Sequence, residues 1–456
     1  EEFEDAKNML SSVGVVHVDG NGVGAIMRDL GCAHRAVQKV GVSTTSDEET
    51  TEESKGLQSF IMEVNRRLDD VVKDAIALSW YYVQELTPDT VVPIVPVLVG
   101  GDDVTVYTDG RYAIPFAEAY IRHYEKLTKD DDLLSVLAIV AGGKKPDAPE
   151  RDHFEIGDYI IQSPGPLTAS AGVAIVGRNF PFHIAYDLAE ELVSRGKKLG
   201  KKPGAVPCST IDFHVLRDAT VLDPDDTLDE YKGRTQRPFL IGHYAPERIG
   251  DATTTSSEEA PTTASQPLLS WERILRAAAA FDGKKPDAPT QTTGDPFPRA
   301  RANRIVKLLA DYVKVSKDDK AAQAACHGYV LKEDEKASAT QEQIDKDKEK
   351  TDDEKRITER CNHPICAIRL EWANALENAQ GTKALVKALG PLPSKTRLDD
   401  TDEDTEDCIE QVRWLLDLID LSENLPDGYL ASRIGRNADG DGSPEAADGS
   451  TKGGAK

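Results

Sequence analysis

Between Val91 and Thr108 two β-rich runs, VVPIVPVLV and VTVYT, are separated by only Gly100-Gly101-Asp102-Asp103. Four residues leave no room for a crossover, so the runs must pair as an antiparallel hairpin. Its tip carries two adjacent carboxylates. Pro93 and Pro96 lack the N–H that a central strand needs, which puts the first run near a sheet edge.

A second turn of the same kind lies far upstream, in VGVVHVDGNGVGAIMRDL, Val13 to Leu30. Val13–Asp19 is short, β-branched and bounded by glycine, the pattern of a buried strand, and a helical pattern resumes at Ala25. Between them stand Gly20, Gly22 and Gly24, with Asn21 beside Asp19. Leu57 to Leu86 has apolar residues at three- and four-residue spacing, so it predicts one long helix or two. IPFAEAYIRHYEKL after the hairpin reads as helix, and 129–168 as polar, proline-rich punctuation. Thr168–Gly177 is a strand, Pro181–Lys202 an amphipathic helix with a basic end, and Ser209–Leu216 a further strand. Strand, helices, hairpin, helix, strand, helix, strand is the order of an α+β sandwich, ferredoxin-like at its centre.

At 456 residues the chain has length for about two or three domains. The first is expected over 10–220. Residues 221–297 read as a linker or extension with a low-complexity loop, 298–435 as a helical region with a charged insert, and 436–456 as a disordered tail. GKKPDAP occurs at 143–149 and 283–289 in unlike surroundings, which reads as a coincidence of loops. The formal net charge of -25 argues against duplex DNA and anionic membrane as partners. There is no run of about 18 apolar residues to span a bilayer. The opening EEFEDAKNML has no signal-like apolar stretch and does not begin with Met, as in an excerpt or a processed form. Six scattered cysteines suit reduced thiols, and a cytoplasmic location is expected.

If the strands ending in Asp19 and starting at Asp103 are neighbours, Asp19, Asp102 and Asp103 meet at one end of a sheet. Such oxygen clusters hold Mg²⁺, and two ions roughly 3.5–4 Å apart activate an attacking hydroxyl and stabilise a leaving phosphate. The glycines, Gly100 and Gly101 included, would then admit a triphosphate to the backbone, with a helix N-terminus behind it. Taken singly, each motif is also what an ordinary tight turn looks like. Cys326, His327, Cys361, His363 and Cys366 are a weaker zinc candidate, divided by a very polar stretch, with reduced, partly buried thiols as the alternative. His17 shares the face of Asp19 and reads as a packed strand residue or a nucleotide contact. His183 and His214 suggest no partner.

GGDDVTV preceded by VDGNGVG resembles the palm domain of the CRISPR type III effector large subunit, a relative of the GGDEF diguanylate cyclases. SAGVAIVGRNFPFHIAYDLAEELVSRGKKLGKK is similar to the strand and helix that close such palms, and IDFHVL also occurs in similar form in stand-alone proteins with this second palm. The match covers roughly residues 10–220. The resemblance implies a Mg²⁺- or Mn²⁺-dependent nucleotidyltransferase making cyclic or short oligonucleotide messengers from NTP, ATP above all, in antiviral defence. It implies Asp19, Asp102 and Asp103 as ligands of two ions, with the Gly20 carbonyl as a further ligand. Lys197 and Lys198 would reach the phosphates, or simply place positive charge at a helix C-terminus. Ser170 would touch phosphate or base, or sit as a buried strand serine. Val104 stands where diguanylate cyclases have an aromatic, which speaks against guanine-specific cyclisation. Asn21 stands where many relatives have a second acid. No His-Asp dipeptide occurs, so the nuclease domain of the full subunits is not expected. The partners implied are nucleoside triphosphates, a second copy of the chain and defence-system proteins. The alternative is an inactive palm that senses a nucleotide or scaffolds a defence complex.

Overall fold

The computed structural model describes residues 12–28, 30–40, 53–87, 91–140, 153–156, 159–162, 165–200, 207–217, 223–245, 270–285, 288–292, 296–316 and 402–426, with 367–368, 371–372, 375 and 428–431. β1 (Ser12–Asn21) leads into α1 (Val23–Arg28), α2 (Leu30–Val40) and the long α3 (Glu53–Leu86). The hairpin is β2 (Ile94–Gly100) and β3 (Asp103–Asp109), followed by α4 (Gly110–Asp130). Short strands β4 (Ile139–Val140), β5 (His153–Ile156) and β6 (Tyr159–Gln162) form a separate small sheet within the stretch expected only as punctuation. Then come β7 (Thr168–Gly177), α5 (Phe182–Gly200), β8 (Ser209–Val215), α6 (Pro224–Tyr231) and β9 (Phe239–Ile241). α7 (Trp271–Phe281), the β10–β11 ladder (Lys284–Lys285 and Ala288–Thr292), α8 (Arg299–Ser316) and α9 (Asp402–Asn424) complete the described elements.

The main sheet runs β2-β3-β1-β7-β8-β9. β1 lies antiparallel to both β3 and β7, while β7 and β8 run parallel. Its first four strands, with α3 and α4 as the crossovers, are a ferredoxin-like β-α-β-β-α-β unit. The mixed α+β architecture is thus the one the sequence predicts, and β2 is an edge strand as its prolines require. α3 is a single helix. The helix α4 starts where Asp109 caps it, the carboxylate accepting from Arg111 N at 2.9 Å, worth about 1 kcal/mol.

Helices cover the sheet on both faces. Val16, Val18, Val104 and Val106 share one core cluster with Phe116 and Tyr120 of α4, while Val15, Ala174 and Val176 pack with Ala185, Leu188 and Leu192 of α5. β7 therefore buries nine of its ten residues, as a central strand roofed on both sides must. Gly172 lets α5 close on it, because a Cβ there would stand 2.1 Å from the Ala189 carbonyl.

Residues 221–297 are more than a linker. β9 pairs with β8, and Phe239 packs on Phe213 and Trp271 of the main core. α9 joins that core too, through Trp414, Leu415 and Leu418. The low-complexity loop, the charged insert, the tail and the five zinc-candidate residues lie outside the described residues.

One staple of this extension is titratable. Glu125 of α4, 5% exposed, accepts from Ser209 Oγ at 2.6 Å and from the His243 amide at 2.7 Å. Burial pushes its pKa up to about 7 from the ordinary 4.5, and the hydrogen bonds only partly oppose this. A carboxyl raised on folding binds its proton more tightly in the native state. Its contribution to stability is therefore full below about pH 4.5 and lost as pH rises through 7, by about 3 kcal/mol in all. Glu125→Gln is expected to flatten that part of the profile, so that urea midpoints of wild type and variant drift apart between pH 5 and 8. Parallel curves across that range would refute the assignment.

Candidate metal and nucleotide site

Asp19 is carried by the last turn of pleat in β1, and Asp102 and Asp103 by the β2–β3 tip. Because Val18 pairs with Val104 and Gly100 with Asp103, the two strand ends meet at the same edge of the sheet. One carboxylate oxygen from each of Asp19, Asp102 and Asp103 lies within 4.8 Å of the others, all partly exposed. Burial first, then the charge of Asp19, raises Asp102 to about 6, and the same two causes raise Asp103. Three like charges are held together at a cost, which an arriving cation would relieve.

The flanking backbone is shaped for this crowding. A Cβ on Gly20 would stand 2.8 Å from both Cβ and Oδ2 of Asp102, so only glycine lets the hairpin tip close on β1. Gly101 turns the tip with φ +61°, a conformation that costs other residues strain. Gly22 also has positive φ, and its carbonyl accepts from the amides of Ala25 and Ile26 at 2.9 and 3.2 Å. Gly24 and Gly100 face open space where a side chain would be. The helix expected from Ala25 begins at Val23 and is described over Val23–Arg28.

The remaining candidates separate. Lys197 of α5 makes an ion pair with Asp19 and so belongs to the cluster. Lys198 does not: its side chain is 78% exposed and lies 3.9 Å from Glu191, because one residue of helix turns it about 100° away. Asn21 is buried, its amide donating to Thr168 Oγ1 at 3.2 Å and to the Cys208 carbonyl at 3.4 Å. Ser170, 0% exposed, donates to Asn21 Oδ1 at 3.1 Å and accepts from Thr210 at 2.9 Å. Both residues thus bond inward and tie β1 to β7 and β8. His17 is a packed strand histidine, 3.0 Å from Thr105 Oγ1, and burial lowers its pKa. His214 sits edge-on to Tyr231, 4.6 Å between centroids.

Sequence reading passed over Phe182, Tyr186 and Glu190. They fall at four-residue steps on α5, on the stripe that also carries Lys197, and that spacing was the available signal. Their rings run along the sheet toward the carboxylates: Tyr107 to Phe182 is 6.0 Å, Phe182 to Tyr186 6.4 Å, and Tyr186 to His17 5.4 Å.

A hard, all-oxygen donor set of three carboxylates fits a divalent cation such as Mg²⁺ or Mn²⁺. Among the described residues, no helix is long and apolar enough to cross a membrane. No protein-family model and no curated protein matches the chain. Among solved structures, it is similar to the crystal structure of a Csm1–Csm4 cassette in complex with cA4, at 13% identity and a TM-score of 0.28. The match takes in 71% of this chain and 33% of that one, a likeness too remote to assign an activity.

Proposed function

We propose that the chain is a divalent-metal-dependent nucleotidyltransferase that joins nucleoside triphosphates, ATP above all, into cyclic or short linear oligonucleotides, as a signal in antiviral defence. The observation that carries this reading is the convergence of Asp19, Asp102 and Asp103 within 4.8 Å, in the two motifs that resemble the type III palm. Asp19, Asp102 and Asp103 would hold the metal, which supplies Lewis-acid charge to a phosphate and lowers the pKa of a bound hydroxyl.

The chain's own groups do the rest. The open space at Gly24 and Gly100 lets phosphate oxygens approach the backbone. Lys197, already on Asp19, is the cation placed to meet a phosphate held there. In the reaction, the 3′-oxygen of one nucleotide attacks the α-phosphorus of another. The new P–O bond forms as the bond to the β-phosphate oxygen breaks; pyrophosphate leaves with the electron pair, and the hydroxyl proton passes to solvent.

Incubation with each NTP and Mg²⁺ or Mn²⁺, with products resolved by mass spectrometry, is expected to yield pyrophosphate and a phosphodiester product. A second reading, a nucleotide sensor without turnover, draws on Asn21. That residue is committed to Thr168, Ser170 and Cys208, which leaves three carboxylates where two ions would share more. Thermal stabilisation by NTP and metal, with no pyrophosphate under any condition, would select the sensor and reject the enzyme.

A further inference from the structure

Beside the carboxylates, the sheet presents an apolar shelf. Asp103, Thr105 and Tyr107 alternate onto one face of β3. Across the hairpin Leu98 pairs with Thr105 and Val95 with Tyr107, and these two apolar side chains are 47% and 59% exposed. The wall of the shelf is the α5 stripe, where Phe182 is 40% exposed and Tyr186 half-buried. Tyr186 lies within the field of the cluster: burial, Glu190 and then Asp103 raise its phenol pKa. At about 3.3 Å per residue, Tyr107 stands roughly 13 Å along β3 from Asp103, so the shelf starts at the carboxylates and runs away from them.

The backbone of β2 argues against a protein strand as the occupant. Asp109 N donates to the Pro93 carbonyl at 3.3 Å, so Pro93 and Val95 turn their polar groups toward β3, and Ile94 and Pro96 turn theirs outward. Ile94 N–H is already bonded to the Val92 carbonyl at 2.9 Å, Pro96 has no N–H, and the register shifts between Pro96 and Leu98. The Ile94–Pro96 part of the edge is thus ill suited to strand addition, while Phe182 stands open on the face beside it. Exposed rings next to a phosphate-chemistry site suit base stacking.

We propose that this shelf binds the base of the attacking nucleotide, stacked on Phe182 and Tyr186, with Glu190 placed to accept from an exocyclic amine. The proposal rests on the reading of Asp19, Asp102 and Asp103 as a nucleotidyl-transfer site and names where its second substrate lies. It predicts two nucleotides per chain, held by different residues.

Calorimetric titration of the full chain with α,β-methylene ATP in Mg²⁺ tests this. Two binding events per chain are expected. Phe182→Ala, a change at an exposed ring, and Tyr186→Ala should each weaken one event about 10–100-fold and leave the other unchanged, while Asp103→Asn removes that other one. Phe182→Tyr should restore binding. A single event, lost in Asp103→Asn and untouched by Phe182→Ala, overturns the shelf but not the site. A wild-type dimer that Phe182→Ala makes monomeric, with nucleotide binding unchanged, overturns the shelf as well and marks it as an interface between copies. No binding in wild type overturns the nucleotidyl-transfer reading and the shelf with it.

Discussion

Asp102→Asn together with Asp103→Asn is expected to raise the thermal midpoint of the metal-free chain while removing its Mn²⁺ binding and its turnover. The two effects have opposite signs for one reason. The tip carboxylates stand within 4.8 Å of Asp19, and burial and Asp19 raise both of them, so the fold pays for holding them there. Neutral amides of the same shape relieve that repulsion, by on the order of 1 kcal/mol for partly exposed groups. They also strip the site of its anionic ligands. Manganese affinity should fall at least about 100-fold, and the rate of pyrophosphate release about 10³-fold, the equivalent of several kcal/mol of transition-state stabilisation. Electron paramagnetic resonance of free Mn²⁺ and a melting curve in chelator measure the two sides. A lowered midpoint with intact Mn²⁺ binding would mean that these carboxylates serve the fold rather than a cation.

Much of this site was legible in the sequence because short-range chemistry specifies it. Two strand-ending turns rich in glycine and carboxylate, and the edge prolines, fixed β1, β2 and β3 to within a few residues. What the sequence did not show depends on partners distant along the chain. Asn21 shares the strand face of Asp19 by alternation, yet its amide reaches Thr168 and Cys208, and only the β1–β7 register reveals that. Gly20 read as a loop residue, whereas its reason is the Asp102 side chain packed on it from 82 positions away. Lys197 and Lys198 look equivalent as a basic pair, and helical phase alone separates them. β9 is three residues long, too short for any periodicity, so the sequence left 221–297 open as a linker or an extension, and the strand it adds to the sheet was not legible.

The same extension supplies the largest effect expected on stability. Arg237, 2% exposed, donates from Nε to Asp417 at 2.6 Å and from Nη2 to Asp420 at 2.5 Å, the two acids standing one helical turn apart on α9. Its third arm, Nη1, donates to the Phe213 carbonyl of β8 at 2.5 Å, and the guanidinium lies 4.0 Å over the Phe213 ring. Burial opposes the charge on Arg237, but the two aspartates outweigh it and hold the pKa above the ordinary arginine value. Burial likewise pushes Asp417 up to about 6 even with the arginine beside it. Arg237→Met removes the cation the two acids share, leaving buried Asp417 with only the Gln236 amide and Asp420 with the half-exposed Arg217, at a cost of about 3–5 kcal/mol. Arg237→Lys should recover only part of this, because a single ammonium nitrogen cannot span the three positions that Nε, Nη1 and Nη2 of the guanidinium reach. A triple variant, Arg237→Met with Asp417→Leu and Asp420→Leu, should regain most of the loss, since a matched apolar set carries no desolvation penalty. Urea midpoints of the three variants decide it. If the triple variant is no more stable than Arg237→Met, the loss comes from packing volume at Phe213 rather than from stranded charge. If it is more stable, the ion cluster fastens α9 to β8 by mutual neutralisation, two strands from the one that carries Asp19.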